Sequence, residues 1–354
     1  MAIVRVTAGE WLVIDGELWV FCGIVVRRHQ EFFMRHKFRA CGLLIAIVVA
    51  SAAHVAMGQP EENPGKTAFK IDPLTALQSP LLATDDTATS ATEFDLLQHA
   101  RRNKMDHWSM AQAALVISGV EDKEAQKPYL AKLTEIAAGC KEVTADAHTP
   151  LAKAKALGKF LIKNPLSAGY VSMCYKMPVV LDSGHYNCVS SAVLYSIMAE
   201  KCDLDVRAIT MSNHVFLRAL DFDIEPTNGH AYSIADRDDR LLSEQARDGA
   251  KTSAAYKTFP YRETGRLGLL STMYQDAASG FRKNHQYEAA VSTYLKAACF
   301  DPKDPSTLQN LRSTLKTWSK DSKRNHQDVK ASKIDAFAKD LLRDSSVLNK
   351  TRAL

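Results

Sequence analysis

Between Cys188 and Glu225 the hydrophobic pattern changes its period, and this change restricts the fold more than any other feature of the chain. In CVSSAVLYSIMAEKC, Val189, Ala192, Val193, Ile197 and Cys202 fall near one face of a 3.6-residue helix that begins at about Cys188. Strand-like stretches follow at once: Val206 to Thr210, His214 to Leu217, and a short piece ending at Ile224-Glu225. Ahead of the block run three helical patterns, in TEFDLLQHARRNKMDHWSMAQAALVIS, KPYLAKLTEIAAGCKEV and TPLAKAKALGKFLIKN. In the third, Thr149 can cap, Pro150 suits the first turn and Asn164-Pro165 ends the helix. Helices, then a helix leading into antiparallel strands, predict an α+β domain over 92–240.

A chain of 354 residues has room for two folded units plus non-globular segments. Residues 59–91 mix Pro, Thr, Ser and Asp with little periodicity and read as a linker. The charged, weakly patterned stretch 241–266 reads as a solvated connector. Over 271–304, Tyr274, Ala277, Ala278 and Phe281, then Tyr287, Ala290, Tyr294 and Ala297, and finally Pro302, fall where one tetratricopeptide repeat needs close helix contact. A second unit begins at Pro305 with Leu308, Leu311 and Leu315, degenerates into KTWSKDSKRNHQD, and is followed by a last helix near Lys330 to Ser345. An α-helical tetratricopeptide tail is therefore expected over 267–345.

The formal charge of +5 looks basic. Residues 1–58 hold six Lys/Arg against four Asp/Glu, which leaves 39 basic and 36 acidic residues in the body. So slight a surplus, without a clustered basic face, excludes nucleic acid as the expected partner. From Ala40 to Met57 there is no charged residue, and the basic run Met34 to Arg39 comes just before. That is the layout of a secretory signal over 34–58, with Ala56 and Gly58 at the small-residue positions before Gln59. An uncleaved anchor over 40–57 is the alternative, since the stretch is about as long as the ~17–25 residues that span a bilayer. Either way the body is expected to be exported, to the periplasm or cell surface, with contact to the membrane only through this segment. Residues 1–33 are broken by Asp15 and Glu17 and make a poor spanning helix; one explanation is a start at Met34, with 1–33 as an extension.

Cys140, Cys174, Cys188, Cys202 and Cys299 lie beyond residue 58, an odd number, so one thiol is expected to stay unpaired. No CxxC pair or Cys/His metal spacing occurs, and neither a metal nor a cofactor is expected.

Residues 184–229 resemble the transglutaminase-like superfamily through Gly184, Asn187-Cys188, Leu194-Tyr195, His214-Val215-Phe216 and Glu225-Pro226-Thr227. The branch named by the pairing of such a core with tetratricopeptide units is the bacterial SirB-type transglutaminase-like proteins. The resemblance implies a papain/transglutaminase-like core and a triad of Cys188, His214 and Glu225. Many members carry Asp as the third residue, and Asp223 competes with Glu225 for that place. The physics agrees with these roles. A helix N-terminus favours a thiolate, an imidazole beside it forms an ion pair and returns the proton to a leaving amine, and a third group orients the ring. If the strand beginning at His214 turns near Ala219-Leu220, His214 and Glu225 face each other across a hairpin. The Cys188 backbone N–H is the one oxyanion donor that can be named from sequence.

Two functions follow. One is a cysteine protease, amidase or transglutaminase-like acyltransferase acting on protein or peptide amides, with hydrolysis preferred. The other is an exported scaffold with a degenerate core, gripping a protein partner through the repeat.

Overall fold

The computed structural model describes residues 11–14, 17–20, 69–83, 88–211, 214–234 and 261–343. The expected signal or anchor over 34–58, the start of the linker and most of the connector lie outside these residues, as does the rest of the 1–33 extension apart from one hairpin. The chain divides into two compact units, Met1–Lys66 and Thr67–Leu354. In the first, β1 (Trp11–Ile14) and β2 (Glu17–Val20) pair antiparallel, Trp11 opposite Val20 and Ile14 opposite Glu17. Among the described residues no helix is long and apolar enough to cross a membrane.

The second unit is α+β. Its helices α1 (Pro73–Ala76), α2 (Ala91–Arg101), α3 (Met110–Ile117), α4 (Lys123–Thr144) and α5 (Pro150–Lys163) lead in. The two-residue strand β3 (Gly169–Tyr170), α6 (Met177–Ser183), β4 (His185–Tyr186) and α7 (Cys188–Lys201) follow. Next comes an antiparallel sheet of β5 (Arg207–Thr210), β6 (Val215–Ala219), β7 (Phe222–Glu225), β8 (His230–Ser233) and β9 (Arg262–Thr264), in the order β8-β7-β6-β5-β9. Four helices close the unit: α8 (Arg266–Lys283), α9 (Tyr287–Phe300), α10 (Pro305–Arg324) and α11 (Asp328–Leu341).

Local chemistry explains most boundaries. Thr149 accepts the Ala152 N–H at 3.1 Å and Pro150 occupies the first turn, as the sequence predicts for α5. The long first helical pattern splits into α2 and α3, and Ser109 restarts the helix in a capping box with Gln112. α7 departs from expectation in another way, being buried all round from Val189 to Ala199 rather than along one face. Its polar residues are small and satisfied at once, as when Ser191 Oγ donates to the Cys188 carbonyl at 3.3 Å, so their pattern imitates a wet face. Each large side chain buried on α7, Leu194, Tyr195 and Met198 among them, contributes about 1.5–3 kcal/mol.

Two expected segment boundaries are corrected. The stretch read as a linker folds in part: Phe69, Ala76 and Leu82 are buried against Tyr294, Leu311, Trp318 and Ile334 of the tail, and Phe69 bridges Leu342. The connector contains β9, which completes the sheet beside β5. Arg-Glu-Thr is short and charged, so no alternation announces it; edge pairing forms it instead.

The tail packs as helical hairpins, with Ala278, Ala290 and Ala297 fully buried where α8 meets α9. It shares a core with the sheet and α7, to which it lends Leu269, Met273, Tyr274 and Phe300. A buried ion pair adds to this union: Lys296 donates to Glu93 at 2.7 Å and the Tyr274 hydroxyl donates to the other carboxylate oxygen at 2.8 Å.

Candidate active site

Cys188 is the first residue of α7, immediately after its cap. Gly184, left-handed at φ 76°, ends α6 and turns the chain into β4, which delivers Asn187. Asn187 Oδ1 accepts the Ser190 N–H at 2.9 Å, and the Asn187 N–H donates to Ser190 Oγ at 3.0 Å. This box satisfies two backbone donors at the helix start and leaves the Cys188 N–H at the positive end of α7.

His214 lies just before β6 and Glu225 ends β7. The register sets Leu217 opposite Ile224 and Arg218 opposite Asp223, so His214, Phe216 and Arg218 share a sheet face with Asp223 and Glu225. His214 reaches Glu225 on the diagonal rather than directly across, and Nε2 meets Oε2 at 2.7 Å. The other carboxylate oxygen accepts from Thr227 twice, from N–H at 3.2 Å and from Oγ1 at 2.5 Å. The longer Glu side chain thus folds back on its own turn and is held at both oxygens. Asp223 does not compete: it is buried in a two-pronged contact with Arg218, at 2.6 and 3.1 Å.

With Nε2 engaged, Nδ1 is the ring nitrogen left for Cys188, whose side chain lines the same cleft and favours the protonated ring. Burial alone would lower the His214 pKa. The hydrogen bonds and charges of Cys188 and Glu225 outweigh burial and raise it to about 10. Burial likewise favours a protonated Glu225, but the His214 contact and the Thr227 hydrogen bonds hold its carboxyl below the ordinary value. The group is therefore poised as imidazolium and carboxylate.

The turn bearing Glu225 and Thr227 is pinned from behind. Gly229, at φ 70°, and Gly158 of α5 approach so closely that a Cβ on either would strike the other's backbone. The Tyr186 hydroxyl also donates to the Thr227 carbonyl at 2.8 Å, tying β4 to the same turn.

Two neighbours escape sequence reasoning. Tyr170 pairs in parallel with Tyr186, and its exposed phenol lies near enough to Cys188 for the thiol to act on its ionisation. Partial burial and that thiol raise the phenol's pKa. Asp276 of α8 accepts the Asn187 amide Nδ2–H at 2.7 Å, and burial raises its carboxyl despite that bond and the nearby Lys283. A cleft of about 110 Å³ opens between Cys188, His214, Thr272, Gln275 and Asp276. No local sequence pattern marks either residue, because each reaches the site through contacts distant along the chain.

The remaining candidates lie elsewhere. His230 bonds its neighbour Tyr232, and the rings of His99 and His107 meet edge to face. Cys140, Cys174, Cys202 and Cys299 are buried free thiols. Among the described residues no three His, Cys, Asp or Glu side chains group in a way that could hold a metal. No family model, curated protein or solved structure matches the chain.

Proposed function

We propose that the chain is a cysteine hydrolase of transglutaminase-like or papain-like fold, cleaving an amide of a protein or peptide through Cys188, His214 and Glu225. The observation that carries this reading is the convergence of three groups: a thiol at a helix N-terminus, an imidazole lining the same cleft, and a carboxylate 2.7 Å from that ring's Nε2, which leaves Nδ1 for the thiol.

For attack the thiol proton passes to His214, where Glu225 balances the charge of the imidazolium. The Cys188 sulfur attacks the carbonyl carbon, a C–S bond forms, and the carbonyl oxygen takes the negative charge. The Cys188 N–H receives that oxygen, and Tyr170, whose ionisation Cys188 influences, is the candidate for a second donor. His214 gives its proton to the amide nitrogen, the C–N bond breaks and the amine leaves. A thioester remains. Neutral His214 then takes a proton from water, whose oxygen attacks the thioester; the acid is released and sulfur and imidazolium are restored. An amine in place of that water would complete a transfer, but a cleft open to solvent meets water far more often than a positioned amine, so hydrolysis is the preferred outcome.

Alkylation by iodoacetamide followed at the Cys188 peptide separates this reading from the scaffold alternative. Labelling at pH 6 should approach the rate at pH 8, well below the ~8.5 of an ordinary thiol. His214→Gln should restore a steep rise with pH. A wild-type profile as steep as that variant's would leave the scaffold as the better description.

A further inference from the structure

Asn187 has a fixed orientation with a cost attached. It is buried, and its Oδ1 is committed to the Ser190 N–H at the start of α7. Its NH₂ must therefore point away from the helix, and there it meets Asp276 Oδ2 at 2.7 Å, across 89 residues of sequence. An amide turned the other way would lose the cap and set its oxygen against a carboxylate. Asn187 is also the residue whose peptide carries the Cys188 N–H, with extended dihedrals of φ −128° and ψ −172°. Its side-chain anchor thus fixes the direction of the oxyanion donor and of the bond to the nucleophile. α8 brings Thr272 and Gln275 to the same cleft wall.

We propose that Asp276 is a positioning residue for Cys188, acting through Asn187, and that helix α8 of the tail is consequently a working part of the catalytic unit. This rests on the hydrolase reading for its consequence in catalysis, though not for its geometry. Asp276 is not expected to touch the reacting atoms. Without it a buried amide loses its acceptor, which favours rotation of Asn187 and loosens the first turn of α7. Asp276→Asn keeps one carbonyl oxygen to accept from Asn187 while removing the charge and turning the second oxygen into an NH₂; Asp276→Ala removes the acceptor.

The test uses the full chain and two readouts. In protein labelled with ¹⁵N-cysteine, the Cys188 amide resonance should move in Asp276→Ala and return close to the wild-type position in Asp276→Asn. Iodoacetamide labelling of Cys188 at pH 6 should fall about 10- to 100-fold in Asp276→Ala, the range that corresponds to an unsatisfied buried amide, and stay within about threefold in Asp276→Asn. An unmoved Cys188 amide in Asp276→Ala overturns the proposal. So does Asp276→Asn behaving like Asp276→Ala, since charge rather than the hydrogen bond would then be responsible; that variant also serves if Asp276→Ala fails to fold. If the amide moves and returns as expected while wild-type labelling is ordinary, positioning stands and the hydrolase reading falls.

Discussion

Cys188, His214 and Glu225 meet because a capped helix and a hairpin each place one end at the same spot. Their order along the chain made them legible: a helix start, a strand start and a strand end within forty residues leave few arrangements. What the pattern could not give was the diagonal register or the fate of Asp223, because both depend on which cation stands opposite. The pair has a pH signature whose sign can be worked out. Glu225 lies below its ordinary 4.5, so its contribution is present above that pH and is lost as pH falls through the lowered value. His214 is raised from 6.5 to about 10, so its contribution is complete below pH 6.5 and is lost as pH rises through about 10. Glu225→Gln should therefore cost most between pH 4.5 and 6.5. The expected cost there is roughly 2–3 kcal/mol, less than the ~3–5 for breaking a fully buried pair, since both side chains keep some solvent contact. Urea unfolding of both proteins at pH 5.5, 8 and 10.5 measures the gap, which should shrink toward 10.5. A gap that is constant over this range would mean the ring carries no charge in the folded state.

At the scale of elements, helices with caps were readable and strands without alternation were not. Thr149-Pro150 announces α5, whereas β3 and β9 are two and three residues long and exist only through their partners. The β6–β7 hairpin is an intermediate case. Its alternation is visible, but its two-residue tip, Leu220-Asp221, lacks the Gly or Asn that such turns favour. The structure holds Leu220 left-handed at φ 50° with its side chain exposed, a conformation that costs a branched residue ~1–2 kcal/mol. Leu220→Asn should recover ~0.5–1 kcal/mol of that, seen as a higher urea midpoint with an unchanged slope. A lower midpoint would mean that the tip is strained for some reason other than the side chain.

For the whole molecule, sequence reading drew a boundary between core and tail where the folded unit has a continuous interior. Glu93, Tyr274 and Lys296 show why: a carboxylate near the start of the lead-in finds its cation more than two hundred residues later, a partnership no local pattern announces. Glu93→Ala would leave a buried ammonium without its counter-charge and should cost ~3–5 kcal/mol. Because the interior is shared, urea should still unfold Thr67–Leu354 in one transition, moved to lower concentration. Two transitions, with only one of them moved, would restore the boundary. The bridge between Phe69 and Leu342 has a mechanical meaning as well. It is antiparallel, so the chain enters and leaves this body side by side. Force applied to both exits would peel this seam open one contact at a time instead of shearing it. A short glycine-rich splice from Leu342 to Phe69 could sew the exits together and allow new termini to be cut elsewhere.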